Sequence, residues 1–133
     1  MTGINNPSHS FSLLSVIRDT VWRLRETAPG VEIQLDANSL LPDVRAQRHA
    51  VAYAIHALLS DALRCAHRGM RLRLFPLDGQ LVTLVNLPGA QLHADNAALR
   101  HSHRLLRRQG ADFICNSDAA GTGLRFSLPI ARD

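Results

Sequence analysis

Apolar residues recur at helical spacing from Leu14 through Ile17 and Val21 to Leu24, and the run stops at Pro29-Gly30. This period predicts a first helix with Ser10 as its N-cap. The stretch VEIQL, Val31 to Leu35, alternates apolar and polar residues and predicts a short strand, closed by the connector DANSLLP. A long second helix follows, in which Val51, Ile55, Leu58, Leu59, Ala62, Leu63 and Ala66 form one apolar stripe. Asp43 is its candidate cap, and its end is expected near His67-Arg68-Gly69, where a glycine stop fits. MRLRLF and QLVTLVN read as strands on either side of PLDG, whose Asp78-Gly79 pair is a strong hairpin signal. After the Pro88-Gly89 turn, ADNAALRHSHRLLRRQG puts Leu99, Leu105 and Leu106 on one side, which predicts a third helix stopped by Gly110. ADFIC, the polar turn NSDAAGTG and LRFSLP close the chain as a second hairpin. The order helix, strand, long helix, hairpin, helix, hairpin predicts an α+β fold. It is a two-layer α/β sandwich whose mixed, mainly antiparallel sheet is covered on one face by helices.

At 133 residues the chain suits one domain, read as residues 11–133 after a short polar N-terminal segment, 1–10. A hydrophobic fraction of 46% with 20% charged residues is globular composition. No stretch approaches the roughly 20 apolar residues of a membrane span, and MTGINNPSHS lacks the apolar core of a secretory signal, so the expected location is cytoplasmic. Cys65 and Cys115 have no C-x-x-C spacing and sit in apolar contexts, which predicts buried, reduced thiols and neither a zinc site nor a disulfide. The net charge of +4 suits an acidic protein, a nucleotide phosphate or a nucleic acid without choosing among them.

The segment HALLSDALRCAH, residues 56–67, raises a question, because it sets one acid, Asp61, among apolar neighbours. The opening FSLLSVIRDTVWRLRETAPGVEIQLD, the helix ALLSDALRCA and the closing GTGLRFSLP, in this order from Phe11 to Pro129, resemble the ATP-binding domain of histidine kinases. That domain belongs to the GHKL or Bergerat-fold superfamily, with DNA gyrase, heat-shock protein 90 and MutL. The long helix is similar to the family's N-L-L-x-N-A-x-K-Y motif. The resemblance puts Ala57 on the first asparagine, Asp61 on the Mg²⁺-holding one, Arg64 on the phosphate-approaching lysine and Cys65 on the aromatic. An aspartate oxygen suits Mg²⁺ and a guanidinium suits phosphate. The D-x-G-x-G motif that reads adenine is replaced by VNLPGA, with Val85 or Asn86 at the aspartate and Leu87 at the first glycine. Few residues separate Gly89 from the third helix, so a lid over the phosphates is not expected. NAALRH stands where that helix would open with glycines, which removes the tight turn that aims N–H groups at phosphate. Gly121 and Gly123 survive around Thr122. The resemblance therefore implies a remnant nucleotide pocket of Asp61, Arg64, Asn86, Gly89, Gly121 and Gly123. About ten residues precede the first helix, so the phosphoacceptor hairpin of a complete kinase is not expected either.

Plainer readings stand beside these. Asp61 can pair with Arg64 three residues on, as helix geometry allows, and His56, Ser60, Arg64 and His67 share roughly one helix face, either a remnant ligand side or a solvated one. His101 and His103, two apart on a helix, point in different directions and make poor metal ligands. Arg100, Arg104, Arg107 and Arg108 suit an acidic partner, a nucleic acid or simply a solvated face, and no aromatic interleaving supports single-strand recognition, since the one Trp and one Tyr lie away from the cluster. Trp22 is expected in the core or an interface. The expected function is a degenerate, non-catalytic histidine-kinase-like ATPase domain that binds a two-component signalling protein, either a response-regulator receiver or a sensor kinase. No cofactor is expected. The alternatives are an ATP-binding kinase or anti-sigma-type domain that uses Asp61 for Mg²⁺, and nucleic-acid binding through the basic helix. Homodimers are compatible with all three.

Overall fold

A computed structural model describes residues 9–38, 40–66, 68–92 and 96–131. Its elements are β1 (His9–Phe11), α1 (Leu13–Thr27), β2 (Ile33–Ala37), β3 (Val44–Ala46), α2 (Arg48–Cys65), β4 (Met70–Leu77), β5 (Gln80–Pro88), α3 (Ala97–Arg108), β6 (Asp112–Asp118) and β7 (Gly121–Pro129). The five-stranded sheet runs β2-β4-β5-β7-β6, with β2 parallel to β4 and every other neighbour antiparallel. β1 and β3 form a separate antiparallel pair. This is the expected α+β sandwich, with the small β1–β3 ladder added.

Register explains why the sheet has one apolar face. Leu72 pairs with Val85 and Val85 with Leu124, while Leu74 pairs with Thr83 and Thr83 with Phe126. These side chains share one face, are all at most 3% exposed, and meet Leu14, Ile17, Leu58, Leu59, Leu99 and Leu106 from the helices. Side chains alternate along a strand, so Arg71, Arg73, Leu84, Asn86, Ile114, Asn116 and Arg125 fall on the opposite, open face. The Asp78-Gly79 turn between β4 and β5 has positive φ at both residues, 51° and 76°, the conformation that matches the twist of paired strands.

Several boundaries differ from the sequence reading. Ser12, not Ser10, caps α1, its hydroxyl accepting from Ser15 N at 3.1 Å, because Ser10 is already paired with Arg45 in the small ladder. Asp43 does not cap α2. Three residues of β3 follow it, with Val44 and Ala46 buried, and the cap position is Gln47. The first strand of the large sheet is Ile33–Ala37 instead of Val31–Leu35, since Ala28 is the C-cap of α1 and Val31 N still bonds Ala28 O. α2 ends at Cys65 with Ala66 as its C-cap, while His67 lies outside the described residues. The predicted polar turn NSDAAGTG is mostly strand, with only Ala119 and Ala120 between β6 and β7. Trp22 is 68% exposed on the outer side of α1, so it is no core residue. Both cysteines are half-buried free thiols rather than buried ones. Cys115 sits on the last strand of the sheet and Cys65 at the end of α2, where fewer neighbours cover them. Among the described residues no helix is long and apolar enough to cross a membrane.

Candidate functional site

Asp61 and Arg64 stand on α2 and face each other, Arg64 Nη1 lying 3.6 Å from Asp61 Oδ1. Arg64 is 80% exposed and Asp61 19%. A pair this open to water contributes at most about 1 kcal/mol. No group of three or more His, Cys, Asp or Glu side chains suited to a metal occurs among the described residues.

The other four predicted pocket residues lie together, but elsewhere. Asn86 pairs with Gly123, and Asn86 Oδ1 sits 3.6 Å from the point a Cβ on Gly123 would occupy. Both belong to the open sheet face, where they border a cleft of about 520 Å³ with Leu84, Ile114 and Asn116. Gly89 and Gly121 meet at the end of the same two strands, Gly89 N donating to Ala120 O at 2.8 Å. Gly121 has φ of 144°, and a Cβ there would run into the Leu87 carbonyl and stand 2.8 Å from Gly89 N, so this glycine is required by backbone packing. Asn86 and Gly123 thus lie on the sheet face opposite the helices that carry Asp61, while Gly89 stands at the strand end, its would-be Cβ 3.5 Å from the Arg68 side chain.

On the helix side lie Val85, one of the two residues (with Asn86) that the resemblance sets at the adenine-reading aspartate, and Leu87, which it sets at the first glycine, at 0% and 1% exposure. Ala90 and Leu92 follow in the same core cluster, at 0% and 2%. Thr122, which the sequence reading noted only as the residue between two glycines, holds this segment in place. Its hydroxyl accepts from Leu92 N at 2.9 Å and lies 2.9 Å from Ala90 O and 2.8 Å from Ser117 Oγ. Ser117 Oγ also lies 3.0 Å from Leu92 O. Two hydroxyl hydrogens serve these three oxygen–oxygen contacts, so two are made at a time. The N-terminus of α3 is likewise occupied, since Asn96 Oδ1 accepts from Ala98 N at 3.0 Å and from Leu99 N at 3.2 Å. Donors of the kind that hold phosphate at a helix start are here satisfied by the chain itself.

The arginines of α3, spaced i, i+4, i+7 and i+8, share one exposed helix face. Arg100, Arg104, Arg107 and Arg108 are all exposed, but only Arg107 points over β6, where it borders a cleft with His103 and Arg125. His101 turns the other way, edge-on to Tyr53 of α2 at 6.5 Å between ring centroids. His103 stacks on Phe113 at 4.8 Å, and its pKa is lowered from the ordinary 6.5 by burial first and by the Arg107 charge second. Burial raises the Cys115 thiol. His103 and Arg125 were not singled out as binding residues from the sequence. The alternation in LRFSLP could have placed Arg125 opposite the buried Leu124 and Phe126.

No protein-family model matches this sequence, and no curated protein matches it. Solved structures do match. The mycobacterial sensor histidine kinase MprB superposes with a TM-score of 0.76 at 15% identity, over 95% of this chain and 99% of that one. The nucleotide-free catalytic domain of histidine kinase ThkA gives 0.78 at 12%, over 95% and 99%. Full-length ShkA in complex with AMPPNP gives 0.79 at 18% over 99% of this chain, which spans about a third of ShkA, 33%. At such identities the likeness establishes fold and leaves activity open. The protein thus has the fold of histidine kinase catalytic domains.

Proposed function

We propose that this chain is a non-catalytic histidine-kinase-like domain that works by binding a signalling protein of the two-component type, a response-regulator receiver or a sensor kinase. The observation that carries the reading is the filled region beside α2. Val85, Leu87, Ala90 and Leu92 are buried where the resemblance expects a nucleotide, and Thr122 and Asn96 spend their polar atoms on this chain's own backbone. ATP with Mg²⁺ does not fit this set of residues, and no phosphoryl-transfer step is assigned to them. What the fold then offers is surface, and the basic face of α3 is the part most suited to an acidic partner.

Two experiments test this. Calorimetric titration with ATP and ADP, with and without Mg²⁺, is expected to give no heat of binding up to millimolar nucleotide. Mg²⁺-dependent binding that disappears in Asp61→Ala would replace this reading with the ATP-dependent one. Purified receiver domains and sensor kinases of the same cell are expected to include one that binds, and Arg104→Glu with Arg107→Glu should weaken that complex at least tenfold. A panel without a binder, or a complex indifferent to both reversals, removes the two-component partner.

A further inference from the structure

The free edge of β6 runs beneath the C-terminal half of α3. β6 is the last strand of the sheet, paired to β7 along one edge, and among the described residues no strand pairs with its other edge. Its sequence, DFICNSD, carries an Asp at each end but no proline, lysine or glycine between them to interrupt an added strand. Its second half is partly covered, because Cys115 Sγ and Ser117 Oγ contact Leu92 O and Gln91 Nε2 bonds Asp118 O. The first half borders a cleft of about 360 Å³ lined by His103, Arg107, Asp112, Phe113, Ile114 and Arg125.

The charges at this edge are arranged on both sides of it. Arg107 approaches from the helix side, while Arg125 pairs in register with Ile114 and lies on the open face. Neither arginine makes an ion pair or hydrogen bond among the described residues, and the one acid nearby, Asp112, forms no ion pair with them. Ile114, 48% exposed, is an apolar side chain that pairs with Arg125 and borders the same cleft as Arg107. His103 at that cleft has its pKa lowered by burial first and by the Arg107 charge second.

We infer that the edge of β6 accepts an extended acidic segment of a partner protein as an added strand. Its backbone pairs with β6, an apolar side chain covers Ile114, and carboxylates reach Arg125 on one face and Arg107 on the other. Strand addition of this kind takes affinity from main-chain hydrogen bonds and specificity from alternate side chains. The inference rests on the protein-binding reading and supplies its contact point.

The probe is a ten-residue peptide rich in Glu and Val, titrated into the isotope-labelled full chain and followed by amide NMR. Shift changes are expected at residues 112–116 and at His103 and Arg107, with slowed hydrogen exchange along β6. Arg107→Glu with Arg125→Glu should weaken binding at least tenfold while leaving the melting temperature unchanged, since both side chains are exposed. A peptide methylated at alternate backbone nitrogens, and one with Lys for Glu, should each lose binding. The inference is overturned by no binding at millimolar peptide, by shifts located elsewhere, by equal binding of the methylated peptide, or by full competition from inorganic phosphate, which would mark a small-anion site only. Peptide failure beside an intact signalling complex that tolerates Arg125→Glu would remove this edge and leave the proposed function standing. Nucleotide binding in the calorimeter would do the reverse.

Discussion

Thr122 shows how one side chain can close a site. Its hydroxyl meets the backbone of Ala90 and Leu92 and is 3% exposed, so replacing it with valine keeps the shape and removes the acceptor for Leu92 N–H. An orphaned buried donor costs about 2 kcal/mol. Thr122→Val is therefore expected to lower the unfolding free energy by about that amount in a denaturant titration, with faster hydrogen exchange at Leu92 than in the parent. His103 supplies the second residue-scale test. Because the folded state depresses its pKa below 6.5, the folded chain resists a proton that the unfolded chain accepts. Its contribution to stability is present above about 6.5 and is lost as pH falls through the folded-state value. Ring NMR titration should find His103 below 6.5, and Arg107→Gln should move it upward without reaching 6.5, because burial, the larger cause, remains. An unmoved value would show that Arg107 does not act on this ring.

Among the elements, α3 depends on its cap, for Asn96 serves two backbone donors at once. Asn96→Ala is expected to cost about 1 kcal/mol, which in a chain of this size lowers the melting temperature by about 4 °C. It should also raise hydrogen exchange in the first turn before the last. The same elements show what a sequence can reveal. β4 alternates cleanly and Asp78-Gly79 forms the β4–β5 turn, so that hairpin was legible, although Pro76 and Leu77, read as turn, pair with Leu81 and Gln80 as part of β4. β1 and β3 were not, because three residues are too few to show a period of two, and their presence shifted both expected caps. The face of Asn86 was hidden for another reason. β5 carries Val82 and Leu84 on the side opposite Leu81 and Val85, so its apolar run does not announce which parity points inward. The Asp61–Arg64 pair was legible, because three-residue spacing on a helix dictates it. The cleft at β6 was not, because it joins side chains from α3, β6 and β7 that only the tertiary fold brings together.

Across the whole molecule, charge and stability are nearly uncoupled. The chain carries fifteen Lys and Arg against eleven Asp and Glu, yet among the described residues Asp61–Arg64 is the only ion pair, and Arg64 is largely in water. Stability therefore rests on the apolar layer between the helices and the sheet, while the excess cations mainly repel one another. Salt screens such interactions over a Debye length that falls from about 10 Å at 0.1 M to about 3 Å at 1 M. Raising sodium chloride from low to high concentration is thus expected to leave the melting temperature unchanged or slightly higher, since more repulsion than attraction is screened. Binding of the acidic peptide over the same range should fall at least tenfold, because there the cations act on an opposite charge. A melting temperature that drops with salt would mean that surface ion pairs hold the fold, and the arginines of α3 and β7 would then have a structural role in place of a recognition role. The two salt curves, measured on one preparation, separate the charges that fold the chain from those that find its partner.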